Sequence, residues 1–276
     1  MVEQSRADLR RLSQEQNHEY KRTLAFVIFL IVGLAMITST FLNPAFMKKQ
    51  IRTSSNEAVI VRQVNANFDG LSQLIGADHE ENSNLLTSKQ TNPIADHIID
   101  YTLGFHWFKV SNENLAKEIL DDIEDNVGNG TSSEAQTIYN KLKKQKSKTY
   151  VIIQAFDLNV VTLGANIAMI LLVVNIIIIL VTIITLISLI NDMRTRLKVK
   201  ALIHAITGAG MWAGFWLILI SGLIAVIPVF FNVETPAFGA FGYLLEISSG
   251  VFLEFVIAGA IMYVICAIPW QLSTTN

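Results

Sequence analysis

The sequence contains a single cysteine and few charged residues for its length. Cys266 lies inside an apolar run, so the 276-residue chain cannot form an intramolecular disulfide. This absence favours a bacterial cell surface without disulfide chemistry over a disulfide-rich secreted protein. Charged residues make up 16% of the chain, whereas soluble domains carry about 25%. The net charge of -2 gives no indication of a nucleic-acid partner.

The sequence also lacks the motifs that would identify an enzyme or a metalloprotein. His79, His97 and His106 lie in the central polar region without a His-x-x-x-His spacing. The acidic residues at 121–125 lack the alternation and the central glycine of a calcium loop. No phosphate-binding loop, dinucleotide fingerprint or Ser-His-Asp arrangement is recognisable. We therefore predict no enzymatic activity, no catalytic residues, no metal site and no cofactor.

Long apolar runs are the main feature that the sequence does contain, and its mean hydropathy is +0.43. An α-helix needs about 20 apolar residues to cross the hydrocarbon core of a bilayer. The second apolar run, residues 158–190, would be about 50 Å long as one helix. We expect it to tilt, to bend near Gly164 or to continue outside the membrane as a stalk. The sequence predicts a mainly α, integral membrane protein with four transmembrane helices, at residues 23–42, 158–190, 205–230 and 246–269.

Short basic segments predict the orientation of these helices. Segments 1–22 and 191–204 are rich in lysine and arginine, whereas the loop at 231–245 has neither. Short basic segments stay in the cytoplasm, and long domains are translocated largely regardless of charge. We therefore expect both termini, including the tail at 270–276, in the cytoplasm, and residues 43–157 outside. The predicted location is the bacterial cytoplasmic membrane.

Residues 43–157 are polar and show helical periodicity. Capping residues or proline predict helix starts at Ser54, Pro93, Ser111 and Ser133. Segment 149–153 (TYVII) is the only part with strand-like, β-branched composition. The sequence predicts a small, mostly helical extracytoplasmic domain with one candidate strand. Residues at helical spacing predict its buried faces: Ile60, Val64, Phe68, Leu71, Ile75, Ile94, Ile98, Thr102, Leu115, Ile119, Ile123, Val127, Ile138 and Leu142.

Glu254 is the most unusual residue of the predicted spans. It lies about 12 Å below the outer interface, and a carboxylate at such depth usually faces the interior of a helix bundle. Asn175 and Ser221 lie at about the same depth on the neighbouring predicted helices. We expect Glu254 to hydrogen-bond to one or both. Such a contact would serve either as structural glue between helices or as a proton or ion site.

Gly210 and Gly214 form a GxxxG pattern near the cytoplasmic end of the third predicted span. Small residues four positions apart let two helix backbones approach closely. Helix packing within the chain is the first interpretation, and oligomerisation through this face is the second.

The segment after the second predicted span resembles the FtsX/MacB-type ABC permease family. The basic residues of the turn are followed by Ala201-Leu202 and by Gly208-Ala209 at the start of the third span. The resemblance, together with the order of spans and domain, implies that the turn docks on an ATPase. It also implies that the long second helix passes motion to the outer domain, which in this family is usually mixed α and β. The docking residues would be Arg194, Arg196, Lys198 and Lys200.

Several functions are compatible with this organisation. The first is a permease-like membrane subunit that couples a cytoplasmic ATPase to the outer domain. The alternatives are a membrane sensor or regulator, a cell-envelope scaffold that binds proteins through residues 43–157, and a gradient-driven or lipid-handling transporter built around Glu254. The expected partners are the lipid bilayer, the ATPase, an envelope protein and a second copy of the chain.

Overall fold

The computed structural model describes residues 2–77, 85–127, 132–230 and 241–274, and every regular element in these ranges is an α-helix. The predicted mainly α fold is confirmed. In chain order the helices are α1 (Val2–Ser39), α2 (Pro44–Ile51), α3 (Ser54–Leu74), α4 (Ser88–Leu103), α5 (Glu113–Val127), α6 (Ser133–Lys143), α7 (Lys148–Ala155), α8 (Leu158–Arg196), α9 (Val199–Phe230) and α10 (Phe241–Thr274).

Four of these helices are long and apolar enough to cross a membrane. The candidate spans are Glu19–Ser39, Leu158–Arg196, Val199–Ile227 and Ile247–Thr274. Each contains most of one predicted transmembrane segment, so the chain is a helical, multi-pass membrane protein. The second span, α8, has 39 residues and is therefore about 58 Å long at the usual rise per residue. The helix continues through Gly164.

The predicted basic loop at 191–204 is mostly helical. Helix α8 ends at Arg196 and α9 begins at Val199, which leaves only Leu197 and Lys198 between them. The backbone amide of Leu197 still donates to the carbonyl of Met193, at 2.9 Å. Helical periodicity continues here because the apolar residues of the segment, Met193, Leu197 and Leu202, pack in one cluster with Leu24.

The chain divides into two compact units, which we describe separately. The first unit contains residues 1–38, 174–232 and 248–276, and the second contains residues 39–173 and 233–247. Helix α8 contributes residues to both. In the second unit α4 packs against α3 and α5, and α7 packs against the same two helices. The predicted apolar faces form its core. All the predicted residues are buried except Ile75, Ile98 and Thr102, which are partly buried.

The predicted strand at 149–153 is wrong, because this segment lies in α7. The side chain of Ile152 is fully buried in the helical core of the second unit. Burial against α3 and α5 outweighs the modest β preference of branched residues, which depends strongly on context.

Side-chain caps determine where helices begin in the second unit. Some of these caps are not the residues that the sequence predicted. Helix α4 begins at Ser88, five residues before the predicted start at Pro93. There the amide of Thr87 donates to Oε1 of Gln90 at 2.9 Å, which satisfies a backbone donor that the helix leaves free. Helix α6 is capped by Ser132, whose Oγ accepts from the amide of Ala135 at 3.2 Å.

Candidate functional site

The basic residues that the sequence singled out lie at the junction of α8 and α9, and all four are exposed. Their environments differ. Arg196 forms an ion pair with Asp192, in which Nη2 lies 3.1 Å from Oδ1, and its guanidinium lies 5.6 Å from the ring centroid of Tyr20. Arg194 and Lys198 form no ion pair with a described residue. Arg196 therefore holds the end of α8 in place, and Arg194 and Lys198 are the more available cations.

Tyr20 joins α1 to this junction. Its ring lies 5.6 Å from the guanidinium of Arg196, and its side chain lies beside Asp192, the carboxylate that pairs with Arg196. Beneath these polar contacts, Leu24 of α1 is fully buried against Met193 of α8 and Ala205 of α9. Three helices of the first unit therefore converge where the basic residues lie.

A cavity of about 850 Å³ lies beside this junction in the first unit. One end is basic, with Lys21, Arg22 and His204. The rest is apolar and largely aromatic, and Gly208 and two alanines of α9 leave the space open. The aromatic lining residues are Phe26, Phe29, Trp212, Trp216 and Trp270.

The position of His204 in this cavity is set by α10. Its Nδ1 lies 2.9 Å from Oγ of Ser273, and its ring stacks on Trp270 with the centroids 5.2 Å apart. A Cβ added to Gly208 would lie 3.5 Å from the same Trp270 ring, an ordinary contact distance. The sequence analysis missed this site. The signal was the spacing of Ala205, Gly208, Trp212 and Trp216 along one face of α9, next to a basic approach in α1.

Asn175 makes a hydrogen bond that the sequence did not predict. Its Nδ2 donates to the carbonyl of Leu34 at 3.0 Å and to Oγ1 of Thr38 at 2.7 Å. Its side chain is 6% exposed. Asn175 therefore joins α8 to α1, where a buried amide needs a polar partner.

Glu254 is exposed on the surface of the chain and forms no hydrogen bond with a described residue. The predicted hydrogen bonds from Glu254 to Asn175 or Ser221 are not present. Ser221 is buried at 3% exposure, and the neighbouring Phe255 takes the inward position on α10 that Glu254 was expected to occupy. The helix is rotated by one residue from the expected orientation, so the carboxylate lies on the outer face.

Gly210 and Gly214 lie against α10. A Cβ on Gly210 would lie 2.5 Å from Sγ of Cys266, and a Cβ on Gly214 would lie 2.7 Å from the carbonyl oxygen of Gly259. Real Cβ atoms do not approach so closely. The backbone of α9 therefore lies against the Cys266 side chain at Gly210 and against the backbone of α10 at Gly214. The contact lies within the chain.

A cluster of charged side chains lies between α4 and α5 in the second unit. Nδ1 of His97 lies 3.4 Å from Oε2 of Glu118, and Nε2 of His97 lies 3.4 Å from Oδ2 of Asp122. Burial raises the pKa of Asp122, and nearby acidic residues add to the effect, while His97 opposes it. No group of three or more His, Cys, Asp or Glu side chains able to hold a metal ion occurs among the described residues, and His79 lies outside them.

An exposed aromatic loop follows α4 in the second unit. Phe105, Trp107, Phe108 and Val110 are between 65% and 97% exposed. The loop is nevertheless fixed in place. The amide of Lys109 donates to Oδ1 of Asn166 at 2.7 Å, and Nδ2 of Asn166 donates back to the carbonyl of Lys109 at 2.8 Å. Burial of the Lys109 side chain, whose Nζ lies 3.5 Å from the ring centroid of Tyr101, lowers its pKa.

The geometry defines a class, a multi-pass helical membrane protein with a helical domain inserted after its first span. No protein family, curated protein or solved structure matches the chain.

Proposed function

We propose that the chain is a non-enzymatic membrane subunit that couples a cytoplasmic partner, an ATPase in the manner of FtsX/MacB-type permeases, to its helical domain. In this proposal the protein resides in a bacterial cytoplasmic membrane with both termini inside and residues 43–157 outside. Arg194 and Lys198 bind the partner, and α8 carries the movement.

The continuity of α8 is the observation that supports this proposal. Near its start, Asn159 accepts a hydrogen bond from Asn112 at 2.8 Å, and Asn166 holds the aromatic loop. Near its end, the guanidinium of Arg196 lies 5.6 Å from the ring centroid of Tyr20 on α1, two residues from the exposed Arg194. An unbroken helix fixed to other elements at both ends transmits displacement because its hydrogen-bonded backbone resists bending.

The proposal is tested by purifying the full chain from its native membrane and assaying the co-purified ATPase activity. The charge-reversing double variant Arg194→Glu, Lys198→Glu should lose at least about tenfold of that activity. Close pairs of opposite charge at protein interfaces are worth a few kcal/mol, and reversal makes them repulsive.

The matched control is Lys143→Glu, Lys144→Glu, which reverses two exposed lysines of the helical domain. It makes the same change in net charge and should leave the co-purified activity unchanged. If the Arg194→Glu, Lys198→Glu variant co-purifies with as much ATPase activity as the parent chain, the junction has no docking role.

A sensor or envelope scaffold is the second candidate, and the exposed aromatic loop favours it. Large aromatic residues held on a fixed backbone are typical of binding surfaces. The same purification separates the two functions. A scaffold keeps its partner in the Arg194→Glu, Lys198→Glu variant and loses it when Trp107 and Phe108 are changed to alanine.

A further inference from the structure

The aromatic cavity of the first unit lies at one end of the candidate spans. Lys21 and Arg22 are near the start of the first span, His204 is near the start of the third, and Trp270 is near the end of the fourth. In a bilayer these positions correspond to the interface between headgroups and hydrocarbon, and the remaining lining residues extend toward the hydrocarbon.

The basic end of the cavity has an excess of positive charge. Lys21 and Arg22 are exposed, and neither forms an ion pair with a described residue. A second cleft of about 480 Å³ shares Lys21 and His204 with the cavity and adds Lys198 and Lys200. None of the described residues that line either space is acidic. The nearest described carboxylate on α8, Asp192, is already paired with Arg196.

The apolar end of the cavity faces outward from the helices. Phe26, Trp212 and Trp216 line it and are 61%, 60% and 47% exposed, although all three lie within candidate spans. A ligand can therefore enter sideways from the hydrocarbon. The volume of about 850 Å³ lies in the upper part of the range typical of ligand sites.

We propose that this cavity binds an anionic phospholipid of the adjacent leaflet. The phosphate and headgroup lie against Lys21, Arg22 and His204, and an acyl chain lies along the aromatic residues of α1 and α9. Basic pockets between membrane helices recognise anionic headgroups in this way. A free phosphate ion satisfies only the basic end, because it has no acyl chain to cover the apolar aromatic walls.

The tryptophans provide a direct readout. The chain has four, and three of them, Trp212, Trp216 and Trp270, line the cavity. The full chain carrying Trp107→Phe is purified in a nonionic detergent, so that the cavity tryptophans alone fluoresce. It is then titrated with phosphatidylglycerol or phosphatidylcholine carrying the same brominated acyl chains, which quench tryptophan on contact.

We expect phosphatidylglycerol to reach half-maximal quenching at a mole fraction at least about fivefold lower than the one phosphatidylcholine requires. The reason is that one basic residue near a membrane surface favours an anionic lipid by roughly this factor. The double variant Lys21→Gln, Arg22→Gln should bring the two lipids to near parity. The variant Arg194→Gln removes an exposed charge that does not line the cavity and should keep the preference. Gly208→Leu fills the cavity and should abolish the preference for phosphatidylglycerol.

Any one of the following results would overturn the proposal. The first is equal quenching by the two lipids in the parent chain. The second is loss of the preference in Arg194→Gln to the same extent as in the double variant, which would show a diffuse surface charge. The third is a full preference for phosphatidylglycerol in a Gly208→Leu protein that keeps the parental melting temperature. The fourth is a preference that millimolar inorganic phosphate abolishes. Either of these last two results would show that the acyl chain is not bound in the cavity.

Discussion

Asp122 illustrates how one buried carboxylate makes the second unit sensitive to pH. Its Oδ2 is buried without a hydrogen-bond partner among the described residues, and Nε2 of His97 lies 3.4 Å away from it. Burial disfavours the ionised form, so the pKa of Asp122 in the folded chain lies above its ordinary value of 3.8. The stabilising contribution of the neutral carboxyl is complete below pH 3.8 and is lost as pH rises through the raised pKa.

We predict that Asp122→Asn stabilises the second unit at pH 7.5, because the amide removes a carboxylate whose charged form burial disfavours. The expected gain is about 1 kcal/mol, because burial costs a neutral amide less hydration free energy than it costs a carboxylate. Hydrogen exchange of the full chain should show amides of α4 and α5 exchanging about fivefold more slowly.

The matched control for this prediction is Asp121→Asn, which removes the same charge from an exposed neighbour on α5. It should leave the exchange rates nearly unchanged. The gain in stability of Asp122→Asn over the parent chain should be smaller at pH 4. A gain that increases toward low pH would show that it does not come from the buried charge of Asp122.

Asn175 and Glu254 show what could be inferred at the residue scale. Their polarity in apolar runs was evident from the sequence, and one of them, Asn175, does have a buried interhelical partner. The partner could not be inferred, because it depends on the rotation of each helix about its axis. A rotation of one residue is about 100° on an α-helix, enough to place Phe255 inside and Glu254 outside.

At the scale of elements, α9 and α10 are joined by their glycines. A Cβ on Gly214 would meet two backbone atoms, the oxygen of Gly259 at 2.7 Å and the nitrogen of Tyr263 at 3.0 Å. A Cβ on Gly259 would in turn lie 2.9 Å from the oxygen of Gly214. Backbone atoms within helices cannot move aside as flexible side chains do, so this contact tolerates no larger residue.

We predict that Gly214→Ala destabilises the first unit by about 1–3 kcal/mol, the usual cost of overpacking. The midpoint of thermal unfolding of the full chain in detergent should fall by several degrees. Gly222→Ala is the control on the same helix, because its Cβ would lie 3.9 Å from its nearest neighbour, Cγ2 of Val256. Equal effects of the two substitutions would show that the close approach is not a determinant of stability.

Helix existence was easier to infer than helix boundaries. The end of α3 was inferred correctly, because Gly76 adopts a φ of +64°, a conformation that glycine takes at little cost. Pro93 misled the assignment of α4, since a proline suits a first turn but does not determine which turn is first. The apolar positions of α5 were inferred correctly because they all lie on one face of the helix, and that face packs against the core.

At the scale of the whole molecule, the proposed topology makes opposite predictions for two lysines. Lys144, after α6, lies in the domain placed outside, and Lys198, between α8 and α9, lies at the junction placed inside. In a Cys266→Ala background, Lys144→Cys should react with a membrane-impermeant maleimide in intact cells. Lys198→Cys should react only after the membrane is permeabilised. The reverse pattern would invert the proposed orientation and remove the cytoplasmic docking site.

Hydropathy and periodicity were sufficient for the four spans, the helical domain and most of its core, because each of these follows from residues close together along the chain. The ion pair of Arg196, the partner of Asn175, the outward position of Glu254 and the cavity beside Lys21 required the folded structure. They depend on which faces of distant helices meet, and in helices that are apolar on every side the sequence pattern leaves that rotation undetermined.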